Sequence, residues 1–259
     1  MSAEANPDGR SWRLMVEYDG TGYSGWQAQA DQPTVEAALL RALELSTGER
    51  PRLAAAGRTD AGAHAHGQVV SLVLERGIDP ERLRTTCNAH LPEDIVVRRV
   101  DPVEPDFHAR FSARRRVYRY LVDQGAVAPA VGRHYVWHVS GPLDLVAMRL
   151  TARALCGRHD MGGFGTSPRA GGHTIRTLHS VRIRRRGRQV VFEVTADAFL
   201  RGMLRSVVGA LVAVGQGRLS ASLVLQALHH PDAPRAPWPL APAHGIHQWA
   251  VVYEEDHAG

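Results

Sequence analysis

Apolar and polar residues alternate early in the chain, with Trp12, Leu14, Val16 and Tyr18 set against Arg13, Met15 and Glu17. That period of two predicts a half-buried strand ending at Asp19-Gly20. Helical spacing begins near Thr34 and carries Val35, Leu39, Leu40 and Leu43. A strand is predicted over Gln68–Leu74, a helix over Pro80–Leu91 and a strand from Ile95 through Val100. Val117–Val122 reads as a strand, and a linker rich in Gly, Ala and Pro follows from Gly125 to Gly141. A helix over Leu143–Leu155 comes next, then two strands, Thr174–Arg185 and Gln189–Thr195, turning at Gly187. A long helix is predicted over Ala198–Val214, with Phe199, Met203, Val207 and Leu211 in one apolar row and Leu200, Leu204 and Val208 in another.

Helix and strand pairs recur in this order, which predicts an α+β fold of two pseudo-equivalent α/β halves. They are expected to share a largely antiparallel central sheet flanked by helices, with the active-site cleft between them. The expected halves are 11–113 and 114–254, with flexible ends at 1–10 and 255–259. No internal sequence repeat is visible.

The first ten residues lack the basic start and apolar run of a signal peptide. No apolar run approaches the roughly 20 residues that span a bilayer. Cys87 and Cys156 lie far apart with no CxxC, which argues against a disulfide framework and a thiolate zinc site and for a cytoplasmic protein. All 31 basic residues are arginine. The absence of lysine excludes Schiff-base chemistry and a P-loop, which both need an amine. With a net charge of +5, a polyanion is the leading partner. Two arginine clusters stand out: Arg114-Arg115-Arg116 with Arg119, and Arg182 with Arg184-Arg185-Arg186 and Arg188. Each reads either as a phosphate-binding patch or as a solvated cationic face. Arg201 and Arg205, four residues apart, share one face of the predicted helix, where an acid or phosphate meets them or the side chains reach to solvent at the helix edge.

The chemistry concentrates in Gly57-Arg58-Thr59-Asp60-Ala61-Gly62-Ala63-His64, a loop before a strand. Asp beside Gly is ordinary turn chemistry. Arg58, two residues from the Asp60 carboxylate, also suits a reaction on a nucleotide, because a guanidinium keeps a carboxylate ionised or holds a phosphate beside it. Gly20-Thr21-Gly22-Tyr23-Ser24-Gly25 matches GxGxxG after a strand but does not open into a helix, so it is not read as a dinucleotide turn. His64, His66 and His159-Asp160 lack a convincing third and fourth ligand, so no metal is expected. Tyr118-Arg119-Tyr120, after the first arginine cluster, interleaves rings with cations: a base-stacking surface or ordinary core.

Tyr18-Asp19-Gly20-Thr21 with Gly25-Trp26-Gln27, the Gly57–Ala65 loop, Phe107–Ala113 with Tyr118-Arg119-Tyr120, Phe199–Gly209 and Ala241-Pro242-Ala243-His244-Gly245 together resemble the tRNA pseudouridine synthase A family. The resemblance spans nearly the whole chain. It implies isomerisation of uridine on the 3′ side of the tRNA anticodon arm, with no cofactor, by a homodimer holding one tRNA. It implies Asp60 as the catalytic carboxylate, Arg58 as an RNA-positioning residue, Tyr118 as the ring that packs on the target base, and Arg205 as the partner of the aspartate. Ala63 stands where the family usually has valine, and Met161 where phenylalanine usually follows His159-Asp160. Two other functions compete: a basic RNA-binding module without catalysis, and a pseudouridine synthase acting on a different RNA or a nucleotide.

Overall fold

The computed structural model describes residues 11–167, 171–228 and 237–254, so the flexible ends expected at 1–10 and 255–259 lie outside the described residues. The fold is mixed α/β with largely antiparallel strands, and it divides into two compact units. One comprises the described residues up to Arg114 and from Gln248 onward; the other is Arg115–His247. The end of the chain therefore groups with the N-terminal unit, where the sequence reading ran the second half on to 254.

The first unit contains β1 (Ser11–Tyr18), β2 (Ala54–Ala55), β3 (His64–Val73) and β4 (Ile95–Pro102), with helices α1 (Val35–Thr47) and α2 (Pro80–His90). β1 pairs antiparallel with β3 on one side and β4 on the other, and β2 adds to β3. The alternation in β1 becomes burial: Trp12, Leu14, Val16 and Tyr18 are at most 3% exposed and pack with Val35, Leu39 and Leu43 of α1 and Leu83 and Cys87 of α2. Burying four large side chains at roughly 1.5–3 kcal/mol each fixes which face of the strand meets the helices. β3 starts at His64, four residues before the predicted Gln68, because Tyr18 pairs with Ala65 across a bulge.

The second unit contains β5 (Arg115–Asp123), β6 (Trp137–His138), α3 (Leu145–Ala154), β7 (Gly157–Asp160), β8 (Ile175–Arg186), β9 (Gln189–Ala196), α4 (Met203–Gly215) and α5 (Ala221–Gln226). β5, β9, β8 and β7 lie in that order, all antiparallel. The expected linker at 125–141 holds β6, which pairs in parallel with the end of β5. A final strand, β10 (Ile246–Val252), carries the chain back to the first unit, where it neighbours β3.

The predicted helix over Ala198–Val214 starts five residues late. Gly202 adopts φ +76° at the N-cap, and Arg201 exchanges two backbone hydrogen bonds with Thr166 (2.9 and 3.2 Å). Arg201 is thus exposed and outside the helix, which overturns the face it was expected to share with Arg205. The left-handed glycine and the Thr166 bridge impose an extended backbone that local spacing does not reveal. Within α4 every residue is buried except Arg205.

Candidate active site

Asp60 sits in the hairpin loop between β2 and β3. The base of the loop is closed by Ala56 N–H to Val69 O (2.8 Å) and by the Gln68 side-chain amide to Gly57 O (2.7 Å). At the tip, Ala63 N–H donates to Asp60 O at 3.1 Å, a turn completed by Gly62 at φ +78°. Side chains alternate through Arg58-Thr59-Asp60: Arg58 is exposed, Thr59 is buried and Asp60 is half-buried. The Thr59 hydroxyl meets the Tyr18 hydroxyl at 2.7 Å, tying the loop to the end of β1. Among the described residues, no hydrogen bond or ion pair engages the Arg58 guanidinium.

A second loop braces the first. Gly20–Gly25, the GxGxxG run, folds against residues 59–63: Trp26 N–H donates to Thr59 O (3.1 Å) and Gly62 N–H to Tyr23 O (3.2 Å). Gly25, at φ +94°, comes so close to Thr59 O that a Cβ there would stand at 2.7 Å. Buried His64 accepts from Gly20 N–H through Nδ1 at 3.1 Å. The Tyr23 hydroxyl donates to Asp94 at 2.6 Å, and burial, helped by that carboxylate, pushes its pKa well above the ordinary phenol value. Glycine is needed here for close approach of backbone to backbone rather than for a dinucleotide phosphate. That the Gly20–Gly25 run braces the Asp60 loop was not legible in its spacing.

In the second unit, Tyr118 on β5 is 7% exposed and its ring meets Phe199 edge-on at 4.8 Å. Arg205 is half-buried, and its Nε donates to Ala241 O at 2.7 Å while Ala241 N–H returns a bond to Arg205 O at 3.2 Å. The Ala241–Gly245 motif is thus seated on α4. It also packs on Tyr120, whose hydroxyl donates to Pro242 O at 2.8 Å. Arg58 and Asp60 therefore belong to one unit, and Tyr118 and Arg205 to the other.

The first arginine cluster does not act as a block. Arg115 is exposed and Arg114 is ion-paired with Glu254, but Arg116 is 7% exposed and donates to the Asp197 carbonyl. Strand alternation turns Arg116 inward, which removes it from the phosphate-gripping patch that three consecutive arginines suggest. Arg119 is bound to Glu193 at 2.9 Å. Among the described residues, no group of three or more His, Cys, Asp or Glu side chains is placed to hold a metal, and no helix is long and apolar enough to cross a membrane.

A family model described as tRNA pseudouridine synthase matches residues 14–112 and 151–254. Three relatives bear the name tRNA pseudouridine synthase A. The one from Methylobacterium sp. (strain 4-46) is 42% identical over 94% of this chain and 98% of its own. The one from Caulobacter sp. (strain K31) is 43% identical over 94% and 98%, and the one from Acetivibrio thermocellus is 38% identical over 94% and 100%.

Proposed function

The chain belongs to the tRNA pseudouridine synthase family, and on that footing we propose that it isomerises uridine to pseudouridine on the 3′ side of the tRNA anticodon arm, with Asp60 as its catalytic carboxylate. The reaction breaks the bond between C1′ and N1, turns the base and joins C1′ to C5; the proton on C5 is lost and N1 gains one. Nothing is oxidised or reduced, so one side chain able to act as nucleophile or base is sufficient for the chemistry. The observation that supports the assignment is the loop itself. It holds a half-buried carboxylate on a backbone fixed at Thr59, Gly62 and Ala63, two residues along the chain from an exposed guanidinium with no partner among the described residues. A turn required only for folding has no need of a carboxylate and a guanidinium two residues apart.

Arg58 is proposed to position RNA. Tyr118 and Arg205 are proposed as substrate-binding residues, because a base leaving its stack needs an aromatic surface and cations near its phosphates. A homodimer acting on one tRNA in the cytoplasm completes the proposal; sedimentation with and without tRNA tests the dimer.

The decisive experiment replaces Asp60 with asparagine, which keeps the shape and removes the nucleophile and base. Asp60→Asn abolishes pseudouridine formation while thermal stability and tRNA affinity stay within a few-fold of the parent. A folded, tRNA-binding variant that still forms pseudouridine at the parent rate refutes the assignment, and a parent that binds tRNA without modifying it points to the RNA-binding module. Mapping the modified uridines in a deletion strain separates the anticodon arm from other RNA.

A further inference from the structure

The second arginine cluster is not used by this chemistry, and the geometry of β8 divides it. Strand alternation puts Val181, Ile183 and Arg185 on one face and Arg182, Arg184 and Arg186 on the other. The first face is the covered one: Ile183 lies beside Phe192 and Tyr120, all three buried, and Arg149 of α3 donates to Ile183 O at 3.0 Å. On the second face, Arg182 lies beside Glu193 and Arg119, Arg184 beside Val191 and Leu121, and Arg186 beside Gln189 and Asp123.

The charges on this open face do not balance. Glu193 is shared by Arg119 at 2.9 Å and Arg182 at 3.6 Å. Asp123 is bound by Arg188 at 2.6 Å, and Arg185, from the other face, donates to Gln124. Arg184 and Arg186 are exposed and have no hydrogen bond or ion pair among the described residues. Two cations on one face, about 6.6–6.8 Å apart along the strand, repel each other unless an anion lies across them. That step is comparable with the distance between neighbouring phosphates of an extended nucleic-acid strand.

Resting on the reading of this chain as a tRNA-modifying enzyme, we propose that the open face of β8 is an RNA-backbone contact in which Arg184 and Arg186 each hold a phosphate, while Arg185 does not. Among the described residues β7 pairs with β8 only up to Leu178 and no other strand covers that side, so the residues beyond it form a sheet edge, and charge there also discourages edge-to-edge aggregation. Edge protection treats Arg184, Arg185 and Arg186 alike. Phosphate binding selects alternate residues.

The test measures tRNA affinity against salt, with pseudouridine formation followed in parallel. Each phosphate contact contributes about 0.7–0.9 to the slope of log affinity against log salt. Arg184→Gln/Arg186→Gln is expected to lower the slope by about 1.4–1.8 with the turnover rate at saturating tRNA unchanged. Each single variant gives half of that, Arg185→Gln leaves the slope as in the parent, and Arg184→Lys/Arg186→Lys retains it. A parental slope in the double glutamine variant, or an equal loss from Arg185→Gln, overturns the contact. A parent protein that forms no pseudouridine refutes the enzymatic reading instead, whatever the slopes. Melting curves accompany each variant, and should the double variant misfold, the single variants decide.

Discussion

Gly20 lies so tightly against Ala63 that a Cβ on the glycine would stand 1.9 Å from the Ala63 carbonyl oxygen. Both partners are backbone, so neither can swing aside. Gly20→Ala is expected to push the Asp60 loop out of place, at a cost near the upper end of single substitutions, about 3 kcal/mol, and with loss of activity. Gly22 has open space around its missing Cβ. Gly22→Ala leaves melting temperature and activity close to parental. Equal effects at the two positions would refute this account of the GxGxxG run.

The 2.7 Å contact between the buried hydroxyls of Tyr18 and Thr59 makes a separate prediction. Tyr18→Phe removes the oxygen and leaves the Thr59 hydroxyl to lose this bond in a buried setting, which costs about 1–3 kcal/mol. A fall in melting temperature of about 2–4 °C per kcal/mol follows. Because Thr59 adjoins Asp60, the turnover number should fall while the KM for tRNA changes little. A loss confined to KM would contradict this.

Gly209 in α4 meets the segment that carries the Ala241–Gly245 motif. A Cβ there would stand 1.9 Å from Pro239 O. Gly209→Ala should lift that segment from the helix, breaking the Arg205 bond to Ala241 and weakening tRNA binding. Hydrogen exchange at the Ala241 amide, which donates to Arg205 O, is the direct readout; unchanged protection would rule the effect out.

Burial pushes the Cys87 thiol up to about 12 from an ordinary 9.0, because the thiolate is penalised away from water. At pH 8 it is a neutral, inert thiol. A thiol reagent should label half-buried Cys156 slowly in the folded protein and Cys87 only on unfolding. The folded state holds this proton more tightly than the unfolded chain. The Cys87 contribution to stability is therefore complete below about pH 9 and is lost as pH rises toward 12. Cys87→Ala should flatten the alkaline part of the stability profile; an unchanged profile would count against it.

Much of the frame was legible in the residues alone. The alternation of Trp12 to Tyr18 gives β1, the apolar spacing from Val35 gives α1, and Gly187 marks the β8–β9 turn, since each follows from whether neighbouring side chains bury together or apart. The candidate site was legible in part, because Arg58, Thr59 and Asp60 are adjacent in sequence and their alternation is a local property.

What only the tertiary structure decided depends on partners far along the chain. Arg201 left the predicted helix because its backbone pairs with Thr166 and Gly202 turns left-handed. Arg116 became buried through the Asp197 carbonyl, 81 residues away, while Arg114 and Arg115 beside it stayed at the surface. Gly20 and Gly25 matched a dinucleotide pattern and proved to be points of close approach to the Asp60 loop. Local sequence fixes which way a side chain can point, because the strand and helix periods are set by covalent geometry. Whether that direction ends in water, against a carbonyl or beside an acid depends on non-local hydrogen bonding and packing, which no short stretch of sequence encodes by itself.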